Sequence, residues 1–117
     1  MDNLKKYLDY EFSSGPYTGK DYLSFQTKYI NCIKRMCNDN DWELVRALKN
    51  HYEFSAFLRC NDKYIYISIC DVRYFRNEWW NNVLVRSATS DKDYRGGRNN
   101  YSALPNLAEA IKAVLND

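Results

Sequence analysis

Residues 52 to 71 read YEFSAFLRCNDKYIYISICD, and the stretch aligns its own two strands. A two-residue turn at Asn61-Asp62 sets Leu58 opposite Ile65, Ala56 opposite Ile67 and Phe54 opposite Ile69, so one face is wholly apolar. The other face pairs Arg59 with Tyr64, Phe57 with Tyr66 and Ser55 with Ser68. Side chains alternate across a strand, so a slip of one residue would mix the two sets. The stretch predicts a β-hairpin with an aliphatic side and an aromatic-polar side.

Downstream of the hairpin, NVLVRSA (82–88) alternates Val83 and Val85 against Leu84 and Arg86, which predicts another strand. Upstream, WELVRALK (42–49) also reads as a strand leading through Asn50 into the hairpin. A short helix is the alternative there, because Leu44, Val45 and Leu48 also fit one helical face. Further back, Tyr22, Phe25, Tyr29, Ile33 and Met36 recur at helical spacing, with Ile30 and Cys37 on the flank, and NDND (38–41) closes that helix as a loop. Thr18 with Asp21 resembles a capping box at its start. Leu4, Tyr7, Leu8 and Phe12 predict a short helix over 3–12, which SSGPYTG (13–19) breaks. After a polar loop, TSDKDYRGGRNNY (89–101), Ser102 and Pro105 open a terminal helix with Leu104, Leu107, Ala108, Ile111 and Leu115 on one face.

The expected order is α-α-β-β-β-β-α. It describes an α+β fold, a four-stranded antiparallel meander with helices packed on one face, in a single domain over residues 1–117. A chain of 117 residues buries roughly 65% of the surface its unfolded form exposes, enough for a core without staples. Eleven Tyr, five Phe and three Trp make it aromatic-rich, and such side chains suit half-buried sheet positions and binding surfaces alike. A net charge of +2 with both signs interspersed argues against a DNA mimic and against a non-specific polyanion binder. No stretch approaches the length of a membrane span, and MDNLKKYLDY lacks the apolar core of a signal peptide, so the expected location is the cytoplasm of a host cell, with no membrane partner.

Chemistry-bearing motifs are sparse. The four cysteines, Cys32, Cys37, Cys60 and Cys70, form no C-x-x-C pair, and there is a single His, so buried free thiols are expected and no metal or cofactor. Glycine-rich phosphate loops and nucleophile elbows are missing. His51 reads as a surface residue at a strand end, and Asp71 as a strand terminus that caps the next turn. The segment DVRYFRNEWW (71–80) is a better candidate, because Trp, Tyr and Arg are enriched at interface hot spots. On an extended chain Trp79 and Trp80 would point to opposite faces, leaving one of them outside the core. The candidate contacts are Tyr74, Arg76, Trp79 and Trp80, with Arg95 and Arg98 as a polar rim flanking Gly96-Gly97, a pair that also suggests an anion loop. A secondary candidate is the sheet face carrying Phe57, Arg59, Tyr64 and Tyr66, since exposed sheet aromatics can stack nucleic-acid bases.

Two resemblances follow. The wording YIYISICDVRYFRNEWWNNVLVRSATSDKDYRGGRNNYSALPNL (64–107), and with it the stretch 40–117, resembles the small accessory proteins of phages and conjugative elements. Those with known roles are often inhibitors of host defence, anti-CRISPR proteins among them, that occlude a nuclease or its nucleic-acid site. The likeness implies a non-catalytic protein whose partner is a host protein, such as a nuclease effector complex, and it transfers no individual residue. The run from strand through GGR to the last helix is similar to the end of a double-stranded-RNA-binding domain. That family places K-K-x-A-K at the start of its final helix, where this chain reads NNYSALPNL (99–107) without a lysine. The implied alternative is an RNA- or DNA-binding module using the sheet aromatics and the Arg95/Arg98 loop. Monomer and dimer both stay open.

Overall fold

Five antiparallel strands in the order β1-β2-β3-β4-β5 make the sheet of this computed structural model, which describes residues 2–12 and 19–117. They are β1 (Glu43–Asn50), β2 (Glu53–Cys60), β3 (Lys63–Ile69), β4 (Val83–Ala88) and β5 (Asn100–Ser102). The hairpin of β2 and β3 has the predicted register, with Phe54, Ala56 and Leu58 opposite Ile69, Ile67 and Ile65, and Ser55, Phe57 and Arg59 opposite Ser68, Tyr66 and Tyr64. Residues 43–50 are strand, paired to β2 with a bulge between Leu44 and Arg46. The bulge resets the alternation, so Leu44 and Ala47 share the aliphatic side while Arg46 and Leu48 join Phe57 and Ser55 on the other.

Helix α1 (Lys20–Asp39) buries Tyr22, Phe25, Tyr29, Ile33 and Cys37, a stripe at steps of three and four residues. It stops in a Schellman motif. Asp41 takes a left-handed φ of 57°, the Trp42 N–H donates to the Cys37 carbonyl, and the Asp41 N–H donates to that of Asn38. The short α2 (Glu78–Asn81) lies between β3 and β4, and α3 (Leu107–Leu115) ends the chain. Stripe residues of α1 form one cluster with Leu107 and Ile111 of α3 and with the inward residues Phe54, Ala56, Leu58, Ile65, Ile67, Val83 and Val85. Both long helices therefore cover the aliphatic side of the sheet.

Four expectations change. The sheet has five strands instead of four, because Asn100, Tyr101 and Ser102 pair with Val85, Leu84 and Val83. Nothing in that polar tripeptide alternates, so its strand state comes from the neighbouring edge and not from its own pattern. The N-terminal element is a 3-10 helix over Asp2–Tyr7 instead of a helix over 3–12, in keeping with the poor stability of isolated short helices. The connection after β3 contains α2, so Trp79 and Trp80 sit on a helical turn and not on an extended chain. A 3-10 turn over Leu104–Asn106 precedes α3, which starts at Leu107 rather than at Ser102. The expected capping box at Thr18 and the breaker over 13–18 lie outside the described residues. Among the described residues, no helix is long and apolar enough to cross a membrane.

Candidate partner-binding surface

The chain leaves β3 through Asp71, whose carboxylate organises the turn that follows. It accepts the backbone N–H of Arg73 at 2.9 Å and the guanidinium through Nε at 3.0 Å and Nη2 at 2.7 Å. Burial acts to raise the Asp71 pKa, but the hydrogen bonds from Arg73, with the charges of Arg73 and His51, outweigh it and hold the carboxyl below its usual range. The Arg73 guanidinium lies 4.2 Å from the ring centre of Tyr52 and 5.0 Å from that of Tyr74. Tyr52 is itself buried in the β1–β2 turn, where its carbonyl accepts the Val72 N–H and its hydroxyl accepts the Gly19 N–H. The Tyr74 and Phe75 amides both donate to the Asp71 carbonyl, which winds the segment into a tight turn.

From that turn Tyr74 and Phe75 project outward, 69% and 52% exposed. Arg76 anchors the far side, donating to Glu11 Oε1 at 3.3 Å and to the Asp9 carbonyl at 3.2 Å. Beneath them Trp79 is 2% exposed, edge-on to Phe25 with centroids 5.0 Å apart, and its carbonyl accepts the Tyr29 hydroxyl. Trp80 is half-buried beside it. Trp79 is thus removed from the expected contact set, since its indole completes the core. Phe75, absent from the expected set, is the second exposed ring on this turn. Its place between Tyr74 and Arg76 was the available signal, but a lone Phe in such a segment reads as core.

Arg95 and Arg98 do not rim this surface. Gly97 sits against Ser87 near the end of β4, whereas Trp79 and Trp80 come just before β4 begins, so the two groups occupy opposite ends of that strand. The anion loop suggested by Gly96-Gly97 is already filled. The Asp93 carboxylate accepts the N–H groups of Thr89, Arg95 and Gly96 and the Thr89 hydroxyl, at 2.8 to 3.1 Å. Those bonds hold its pKa down at about 2. A Cβ on Gly96 would meet that carboxylate at 2.1 Å, so a larger residue there would have to displace the Asp93 side chain from its bonds. Moreover β5 and the 3-10 turn separate the loop from α3, which removes the expected helix terminus behind it.

The secondary face is also partly closed. Phe57 has no exposed surface, because Tyr94 from the 89–99 loop folds edge-on against it at 5.2 Å and against Tyr66 at 6.0 Å. The Arg86 guanidinium lies 4.8 Å from the Tyr66 ring centre, and Arg46 reaches the Asp91 carbonyl at 3.4 Å. Arg59 stays exposed and Tyr64 half-buried at the end of this row, but the continuous stacking platform expected from Phe57, Tyr64 and Tyr66 is interrupted.

His51 is exposed in the β1–β2 turn, edge-on to Tyr52 at 4.6 Å. Burial pushes the thiols of Cys37 and Cys60 up to about 11 and about 12, so both are poor nucleophiles. Among the described residues, no group of three or more His, Cys, Asp or Glu side chains is placed to hold a metal ion. Fold and site together define an α+β protein, an antiparallel meander backed by helices, that displays aromatic side chains on a braced turn. No family model, curated protein or solved structure matches the chain.

Proposed function

We propose that this chain is a non-catalytic binding protein that grips a protein partner through Tyr74, Phe75, Arg76 and the exposed part of Trp80. The observation that carries the reading is the combination of exposure and bracing. Two large aromatic side chains face solvent on a turn held by the Asp71–Arg73 pair, by the Arg73 stack on Tyr52, and by the Trp79 anchor. Exposed aromatics on a mobile loop lose much of their contact energy to ordering, whereas braced ones keep it. Tyr, Trp and Arg are also the residue types that dominate interface hot spots. The resemblance to phage and mobile-element accessory proteins makes the partner a host defence protein, with a nuclease effector complex the concrete case and steric occlusion the mode of action. Against the nucleic-acid alternative stand Tyr94, which interrupts the stacking face, and Asp93, which fills the anion loop.

The test compares affinity capture from host lysate by the wild-type chain and by a Tyr74→Ala/Phe75→Ala variant, with quantitative binding to whatever protein is recovered. The variant should lose about 2 kcal/mol or more of binding while its melting temperature stays close to wild type. Equal capture by both chains would sink the reading.

A further inference from the structure

The N-terminal 3-10 helix lies along α1 and brings together basic side chains far apart in sequence. The Lys6 Nζ lies 5.2 Å from the Tyr7 ring centre and the Lys28 Nζ 5.5 Å from it. Lys28 also donates to the Tyr7 hydroxyl at 3.5 Å, and that hydroxyl donates to Ser24 Oγ at 3.4 Å. The two ammonium groups thus share one aromatic ring, and the neighbouring Lys28 amine holds Lys6 below its ordinary pKa. Like charges so placed repel unless an anion lies between or beside them.

Next to this pair is a recess of about 80 Å³ lined by Asn3, Leu4, Lys28, Asn31, Cys32 and Arg35. Lys28, Asn31 and Arg35 follow one another at three and four residues, so one face of α1 supplies an ammonium, a carboxamide and a guanidinium to a single wall. Asn3 adds a second carboxamide from the 3-10 helix, and among the described residues no carboxylate lines the recess. Its polar groups thus offer hydrogen-bond donors together with the positive charges of Lys28 and Arg35, with Lys6 as a third beside them. That is the donor set a tetrahedral oxyanion demands, with Arg35 suited to bidentate contact and Lys28 to a point charge.

We infer that the recess between the N-terminal 3-10 helix and α1 is a phosphate-binding site formed by Lys28, Asn31 and Arg35, with Asn3 and Lys6 completing it. The phosphate is either a free oxyanion or one unit of a nucleic-acid backbone, and the chemistry of recognition is the same. The site uses no side chain of the Tyr74–Phe75 turn, so it stands whether or not that turn binds a protein.

The experiment follows backbone amide NMR shifts of the whole chain at low ionic strength, titrated separately with inorganic phosphate, a short single-stranded DNA and a short RNA duplex. Saturable shifts at residues 28–35 are expected with at least one probe. Phosphate alone sufficing identifies a free oxyanion. Binding restricted to an oligonucleotide, weakening steeply with added salt, identifies a backbone phosphate. Lys28→Gln and Arg35→Gln should each weaken binding about tenfold or more, the worth of one charge-assisted hydrogen bond. Lys28→Arg should retain it. Should Lys28→Gln fold poorly, Lys6→Gln with Arg35→Gln replaces it, both side chains being exposed. No shift at these amides with any probe, or equal affinity in the Gln variants, overturns the inference.

Discussion

Truncating Trp79 to Ala would remove an indole packed against Phe25, and such losses in a core cost about 3–5 kcal/mol. Tyr74→Ala deletes an exposed ring whose chief partner is Arg73, so its cost should stay under about 1 kcal/mol. Equilibrium denaturation of the two variants checks this, and comparable losses would mean that Tyr74 is also structural. Asp93 makes a pH prediction. Its folded pKa of about 2 lies below the ordinary value of 3.8, so its contribution to stability is present above about pH 4 and disappears as pH falls through 2. An NMR titration of the Asp93 carboxyl should give a midpoint near the lower value, and a midpoint near 3.8 would contradict the network. Asp93→Ala should release the loop and expose Phe57, read as faster hydrogen exchange at Thr89, Arg95 and Gly96.

At the scale of elements, the central hairpin and the glycine loop are among the turns that depend on left-handed backbone. Asn61 closes the central hairpin with a φ of 61°, so Asn61→Val should cost on the order of 1–2 kcal/mol, whereas Asn61→Gly should be tolerated. Gly97 has a φ of 79°, and a Cβ there would meet the Ser87 carbonyl at 2.5 Å. Gly97→Ala should therefore cost on the order of 1–3 kcal/mol in thermal or chemical denaturation, and a neutral result would show that the loop can re-seat. The hairpin register was legible because two chemically distinct sets alternate at period two through both strands. β5 was not legible, since its three polar residues carry no pattern and acquire strand geometry only by pairing with β4. Half of the candidate surface was likewise readable: the segment around Tyr74 stands out by residue type, but composition cannot say that Trp79 turns inward and Phe75 outward. The recess on α1 escaped notice because Lys28, Asn31 and Arg35 read as an ordinary solvated helix face until the N-terminal 3-10 helix lies beside them.

For the whole molecule, cooperativity should be concentrated in the middle of the sheet. β2, β3 and β4 are each paired on both sides, whereas β1 and β5 are edges and β5 spans three residues. Native-state hydrogen exchange should rank β2 to β4 slowest, with β5 and the N-terminal 3-10 helix opening at lower free energy. Protection of β5 equal to that of β3 would refute the ranking. The sequence by itself determined the class of fold, the central hairpin, the apolar stripes of α1 and α3, and the presence of an aromatic connection before β4. Those features arise from local periodicity, which the chain carries in any conformation. Only the tertiary structure decided which aromatics are exposed, that Tyr94 closes the face around Phe57, that Asp93 fills the glycine loop, and that Lys6 and Lys28 share the Tyr7 ring. Each is a contact between segments distant in sequence or a local bond fixed by the fold around it, and neither leaves a trace in the order of residues along one strand or helix.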